Sequence, residues 1–511
     1  MLDFDCPGIF AVVDVEKITD RFDAVIFDVG NTLVKQSSPG TPLSDLRAEA
    51  LAGVLELITA LRGRTKLAIV SNTTSMTSAQ LEVLLEPLGL TEGFGCIIAT
   101  ADRGIHKPDP RPLLEAAEQL GVHPSSCLYI GDVTNDRIAA QAAGMSFCFA
   151  GPHLAHCVAR WFGGTNELDR SKNSFRIPSV DRARDCLDTL ASLAKPPGSF
   201  GRLELALSRI AAIQGTAIPC VDPAAAAIFV GDHGHAEDDH ITPWPWSISR
   251  QIAGILGAGT AAGSLFAKSA DVYLETIDVG IATGPTPANV VDNRIADGTA
   301  NIRSGPAMSS LEVEQALEVG AATAVRLIGG GTRALCIGEV GIGNTTVSSI
   351  ICSWATGLDA DAATGPGAGI PPDAVARKTA VVRSIVDELA MTRDPLVVLQ
   401  RAGGHEVAAM AGCIIAAASL DVPVLLDGVT TLAAAAIAEL ILPGVKHSCI
   451  ATHVSPEPST QALFDHLGLE PLFDLGMRVG EGTGAILSVP ILRAGCLAMT
   501  DMTRLTELSN D

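Results

Sequence analysis

The chain has 511 residues, 47% of them hydrophobic, 18% charged and only 4% aromatic, so it is too long for one ordinary core and builds its interior from Ala, Val, Leu and Ile. Thirty-five Lys and Arg against 57 Asp and Glu give a formal charge of −22 with no basic run, which argues against nucleic acid and anionic membrane as partners. Twelve cysteines without a C-x-x-C pair carry neither a zinc nor a redox motif, and a reducing cytoplasmic compartment is expected.

The start, Met1-Leu2-Asp3-Phe4-Asp5, has no basic segment followed by an apolar run, so no secretory signal is expected. Ala24-Val25-Ile26-Phe27 reads as a strand that ends at Asp28-Val29-Gly30-Asn31-Thr32-Leu33. A carboxylate at the C-terminal end of a buried strand is where an open α/β sheet places its ligand chemistry. A second strand, Lys66 to Val70, ends in Ser71-Asn72. Lys107 follows in Gly104-Ile105-His106-Lys107-Pro108, and the strand Cys127 to Ile130 leads into Gly131-Asp132-Val133-Thr134-Asn135-Asp136.

That order resembles the haloacid-dehalogenase-like hydrolases over residues 22 to 150. The resemblance implies Asp28 as the phosphoryl-accepting nucleophile, Ser71 and Lys107 as phosphate contacts, and Asp28, Asp132 and Asp136 as holders of Mg²⁺. Gly30 stands where phosphatases of that family carry a second Asp as acid and base, a role typically worth about 10²- to 10⁴-fold. An active phosphatase and a retained docking module therefore both stay open. The gaps between motifs, Val34 to Thr65 and Thr73 to His106, have room for one crossover helix each, so no large cap is expected.

Arg182 to Leu193 has a helical apolar period and then meets Lys195-Pro196-Pro197-Gly198, which ends it. The boundary is set near residue 176, with a hydrolase-like domain over 1–175 and a second domain over 176–511. Beyond it, apolar strands alternate with glycine-rich turns and alanine-rich helices, the pattern of a mostly parallel sheet covered on both faces. Strand ends are expected at Gly231-Asp232-His233-Gly234, Asp278-Val279-Gly280, Gly338-Glu339, Asp427-Gly428 and Thr452-His453, all on one edge.

Glu339-Val340-Gly341-Ile342-Gly343-Asn344-Thr345 follows a strand and opens a helix, so its N–H groups would face an anion; Gly403-Gly404-His405-Glu406 is a second such turn. Gly257-Ala258-Gly259-Thr260-Ala261-Ala262 imitates a dinucleotide fingerprint, yet Trp246 to Leu256 before it reads as helix. The run His233, His235, Glu237, Asp238, Asp239, His240 fits no zinc spacing and reads as a solvated acidic loop. Val407 to Leu442 is the longest apolar tract, and Asp421, Pro423 and Asp427 break it, so no membrane span is expected. Glu481 lies between Gly480 and Gly482, a lone carboxylate in a turn that allows close ligand approach.

The ordered motifs Lys195 to Ser199, Gly231 to Gly234, Gly298 to Asn301, Gly338 to Thr346, Gly404 to Gly412, Asp427-Gly428 and Gly480 to Ala485 resemble the nicotinate-nucleotide–dimethylbenzimidazole phosphoribosyltransferases over residues 185 to 505. The resemblance implies transfer of phosphoribose from nicotinate mononucleotide to 5,6-dimethylbenzimidazole, with Glu481 as general base. It sets Glu339 and Lys378 near ribose and phosphate, and Gly341, Gly343, Asn344 and Thr345 at the phosphate. It sets Gln251 in the base pocket and counts Asn301, Gly403 and Gly404 among the substrate contacts. It needs no cofactor for this transfer and implies a homodimer. Read by themselves, Glu339 has capping of its helix start as an alternative, and Lys378 a solvated helix face. Trp244-Pro245-Trp246 departs from the family, which leaves adenine, another benzimidazole or a phenol as alternative acceptors.

Overall fold

In the computed structural model the described residues are 19, 22–30, 32–34, 48, 50, 54–73, 76–131, 136, 139–140, 142–149, 178–238, 241–242 and 244–508. The chain divides into two compact units, Met1–Arg170 and Ser171–Asp511.

The first unit holds a five-stranded sheet of β1 (Ala24–Phe27), β2 (Lys66–Ser71), β3 (Phe94–Ala99), β4 (Cys127–Gly131) and β5 (Ser146–Phe149). Its order is β3-β2-β1-β4-β5, and every pairing is parallel. The three motif-bearing strands lie where the sequence puts them. β3 and β5 were not expected: the gap Thr73 to His106 holds a whole strand as well as its helix, α1 (Ser78–Leu85). Thr77 starts that helix with a capping box closed by Gln80. A second helix, α2 (Arg111–Leu120), buries Leu113, Ala116, Ala117 and Leu120 on Ile26, Ala68, Val70 and Tyr129.

The second unit is a six-stranded parallel sheet of order β11-β10-β9-β6-β7-β8. Its strands are β6 (Ala224–Gly231), β7 (Val272–Gly280), β8 (Val291–Asp292), β9 (Ala334–Val340), β10 (Val424–Leu426) and β11 (Cys449–Ala451). The central strand β6 is buried along its whole length, as a sheet covered on both faces requires. Its residues Ala224, Ala226, Ile228 and Val230 face one layer: α3 (Arg202–Gln214), α4 (Ser247–Gly257), α5 (Ala262–Ser269) and the last long helix. The opposite layer includes α6 (Ser310–Gly329), α7 (Asn344–Thr356), α8 (Pro372–Leu389), α9 (His405–Ser419) and α10 (Val429–Ile441).

The last long helix, α11 (Thr483–Asp501), is the one helix among the described residues long and apolar enough to cross a membrane. Its Ala485, Ile486, Val489 and Leu492 instead form part of the core against β6 and β9. The dinucleotide imitation falls between α4 and α5 and follows a helix, so it lacks the strand that such a fingerprint needs.

Candidate active site

At the C-terminal edge of the second sheet, β9 is flanked by β6 and β10, and turns from distant parts of that unit meet there. Gly480, Glu481 and Gly482 all have positive φ, of 77°, 58° and 68°. This left-handed run is open to glycine and rare for Glu. The turn lies on β9: a Cβ at Gly338 would overlap the backbone nitrogen of Gly482, and the Glu481 N–H donates to the Glu339 carbonyl at 3.2 Å. Gly263, in the first turn of α5, donates its N–H to Glu481 Oε2 at 2.8 Å. Asp427, at the end of β10, accepts the N–H groups of Gly484 at 2.6 Å and Ala485 at 3.3 Å, and so holds the start of α11. Burial raises the Glu481 pKa; the Gly263 hydrogen bond opposes the shift and the Asp427 charge adds to it.

Glu339 and Phe229 are register partners on β9 and β6, so Glu339 faces the α9 layer, opposite to Gly338. Its carboxylate accepts the Asn344 side-chain N–H. Burial, with the Glu406 and Asp427 charges, pushes its pKa up to about 8. The bond to Asn344 ties Glu339 to the turn Gly341 to Thr345, where Gly343 at φ 102° precedes α7. Lys378, on α8, is buried at 1% exposure and donates to Thr345 Oγ1 at 2.9 Å and the Gly365 carbonyl at 3.0 Å. The solvated-face reading of Lys378 is thereby removed. Burial lowers its pKa to about 8. A helix N-terminus with one ammonium beside it suits a phosphate.

Two histidines back this turn. His235 Nε2 lies 3.3 Å from the Gly343 carbonyl, and burial pulls the His235 pKa down to about 3. His233 Nε2 lies 2.8 Å from Glu406 Oε1, both side chains fully buried. His233 and His235 are thus interior groups, not part of a solvated loop; Asp239 and His240 lie outside the described residues. Among the described residues no three His, Cys, Asp or Glu side chains are arranged to hold a metal.

The second expected cradle is filled. Gly404 starts α9, but a Cβ there would run into His233 and Glu406, and one at Gly403 would meet Leu399 and Met308. These glycines admit protein groups in place of an open anion seat. Asn301 is half-buried, its Oδ1 accepting the Arg303 N–H at 2.9 Å. Gln251 is exposed on α4. Trp246 donates its indole N–H to the His233 carbonyl at 3.2 Å, while Trp244 is 49% exposed. Sequence reasoning gave no role to Gly263 or to the His233–Glu406 pair, and set Asp427 at a strand end of the site edge without a role. The visible signals were Asp427-Gly428, a carboxylate and a glycine after an apolar run, and the turns Gly231 to Gly234 and Gly403 to Glu406 that carry His233 and Glu406.

In the first unit, Lys107 is buried between two carboxylates, its Nζ 2.7 Å from Asp28 Oδ1 and 2.5 Å from Asp136 Oδ1. It also lies 2.6 Å from the Tyr129 hydroxyl, which donates to Asp136 at 3.1 Å. Burial pushes the Asp28 pKa up to about 6, with Lys107 opposing and Asp136 adding. Burial works against the Lys107 charge, but the two carboxylates outweigh it and raise its pKa. Ser71 ends β2 on the same edge and is buried. Asp132, with Val133, Thr134 and Asn135, lies outside the described residues.

A family model described as Phosphoribosyltransferase matches residues 177–508, and one described as Haloacid dehalogenase-like hydrolase matches residues 42–150. Proteins named nicotinate-nucleotide–dimethylbenzimidazole phosphoribosyltransferase from Azotobacter vinelandii and Roseiflexus castenholzii are each 38% identical, over 318 and 317 residues, or 62% of this chain and 90% of theirs. The crystal structure of CobT from Thermus thermophilus superposes with a TM-score of 0.62 at 33% identity, over 65% of this chain and 100% of that one. The sheet edge that gathers Glu481, Glu339 and Lys378 therefore lies within the matched region, and the chain belongs to the nicotinate-nucleotide–dimethylbenzimidazole phosphoribosyltransferase family, with a haloacid-dehalogenase-like domain at its N-terminal side.

Proposed function

We propose that the second unit transfers phosphoribose from nicotinate mononucleotide to 5,6-dimethylbenzimidazole, giving α-ribazole 5′-phosphate and nicotinate, a step in building the lower ligand of cobalamin. The observation that carries this reading is the Glu481 carboxylate fixed by the Gly263 N–H, on the same sheet edge as the Gly341–Thr345 turn and Lys378. A neutral benzimidazole must lose its ring N–H proton to become a stable N-glycoside, and Glu481 is the group that takes it. The other ring nitrogen attacks C1′ from the face opposite nicotinate, so the anomeric centre inverts. Nicotinate leaves from a pyridinium as a neutral ring nitrogen. Lys378, Asn344, Thr345 and the helix start hold the phosphate, and Glu339 stands beside the ribose.

The purified chain with nicotinate mononucleotide and dimethylbenzimidazole should form α-ribazole 5′-phosphate, followed by chromatography. Glu481→Gln should lower turnover by about 10²- to 10⁴-fold, and unchanged nicotinate release would discard the assignment. Trp244 and Trp246 favour a second reading, in which the acceptor is adenine, another benzimidazole or a phenol; an acceptor screen separates the two.

For the first unit the reading is removal of the 5′-phosphate of that product, through Asp28 as nucleophile with Ser71 and Lys107 on the phosphate. All-oxygen carboxylate donors suit Mg²⁺, which Asp28 and Asp132 would hold while Asp136 steadies Lys107. Bound there, Mg²⁺ would neutralise phosphate charge. Gly30 favours the opposite reading, a docking module without turnover. Asp28→Asn discriminates them, since docking survives it and phosphatase activity does not. The assembly we expect is a cytoplasmic homodimer, in keeping with the free thiols of nine of the described cysteines, and light scattering tests the stoichiometry.

A further inference from the structure

A phosphate monoester carries close to two negative charges, about −1.5 to −2 at neutral pH, and this chain already carries −22. The cradle has one buried cation of its own, Lys378. A second stands at its rim. Arg478 lies three residues ahead of Glu481 in the stretch Asp474 to Gly480, which has no regular secondary structure. Its Nη1 lies 3.9 Å from where a Cβ on Gly369 would be.

Gly369 belongs to the turn Gly365-Pro366-Gly367-Ala368-Gly369, which lies against the cradle. The Gly365 carbonyl accepts from Lys378, and a Cβ on Gly367 would lie 2.7 Å from Thr345 Oγ1 and 3.6 Å from Lys378 Nζ. One glycine-rich turn is therefore flanked by Lys378 on one side and by Arg478 on the other. Gly367 at φ 54° and Gly369 at φ 97° keep it free of side chains where it meets both cations.

Several arginines of this protein are paired with acids. Arg294, Arg326, Arg383 and Arg493 each lie against a carboxylate. Arg478 is exposed and has no hydrogen bond or ion pair among the described residues. An unpaired guanidinium beside a phosphate cradle in so acidic a chain is a group held ready for an anion. Its planar fork can present two N–H donors to two phosphate oxygens, which an ammonium cannot do.

We propose that Arg478 is the second cation of the phosphate site, closing its guanidinium onto the phosphate of the mononucleotide held by the Gly341–Thr345 turn and Lys378. This rests on the transferase reading above. Because Gly480 and Glu481 follow within three residues, the same contact fixes the approach of the base-bearing turn, so Arg478 is also a positioning residue for Glu481.

The test uses the full chain, in EDTA, with wild type, Arg478→Ala and Arg478→Lys. Affinity for nicotinate mononucleotide and for its nucleoside, nicotinate riboside, is measured by calorimetry, and transfer to dimethylbenzimidazole is followed separately. Arg478→Ala should weaken mononucleotide binding about tenfold to a hundredfold, at least ten times more than it weakens nucleoside binding. Arg478→Lys should recover part of that loss, with thermal melting of all three alike. Equal weakening of both ligands, or unchanged mononucleotide affinity, overturns the assignment. If wild type transfers to no base while Arg478→Ala still loses mononucleotide affinity, the transferase reading falls and the phosphate contact stands. A wild type that binds no mononucleotide overturns both.

Discussion

Burial acts on Glu481, Glu339 and Lys378 alike by disfavouring their charged forms, but the consequences run in different directions with pH. Glu481 must be ionised to accept a proton, so turnover should rise through a pKa above the ordinary glutamate value of 4.5. Lys378 loses its charge as pH climbs through about 8, and Glu339 gains one in the same window. The first change removes an attraction for phosphate and the second adds a repulsion, so the KM for nicotinate mononucleotide should increase above that pH. A pH series of initial rates checks this, and a KM that stays level across the window contradicts it. Lys378→Met should raise the KM at neutral pH by about tenfold or more, the worth of a charged hydrogen bond, and flatten the alkaline rise to the part owed to Glu339.

Elements meet in this unit at glycines, and that closeness is testable. A Cβ at Gly320 would run into the Ala409 carbonyl and one at Gly412 into the Leu317 carbonyl, so α6 and α9 touch backbone to backbone. Gly412→Val should lower stability by about 1–3 kcal/mol or more, read as an earlier denaturant midpoint. Gly338→Ala acts at the site itself: it presses on Gly482, and should reduce turnover more than it reduces mononucleotide affinity. The strand ends that carry these contacts were legible because buried parallel strands are short apolar runs closed by Gly or Asp. The edge strands β5 and β8 were not legible, β8 being two residues long and held only by β7. His233 and His235 looked solvated because their neighbours in sequence are acidic. Their partners are Glu406 for His233, 173 residues away, and the Gly343 carbonyl for His235, 108 residues away, and no local pattern reports such partners. Lys378 was ambiguous for the same reason, since its helix is amphipathic and only Thr345 and Gly365 decide which face is inside.

At the scale of the molecule, two compact units share one chain, and the product of one proposed reaction is a phosphate monoester of the kind the other would cleave. Wild type with Mg²⁺ should yield α-ribazole, whereas Asp28→Asn or EDTA should stop the sequence at α-ribazole 5′-phosphate; chromatography of the two mixtures checks it, and accumulation of the phosphate by wild type contradicts it. Within the second unit, α11 lies late in the sequence yet packs on β9, β10, α3 and α5. The Glu481 turn is the leader of that helix, so the base reaches its seat only after the helix docks. Contacts between elements so distant in sequence form slowly. During synthesis the sheet edge must wait for nearly the whole unit to emerge, with the apolar faces of α3 and α5 uncovered meanwhile. Activity should therefore return with the slowest refolding phase, and a chain stopped after Gly482 should aggregate.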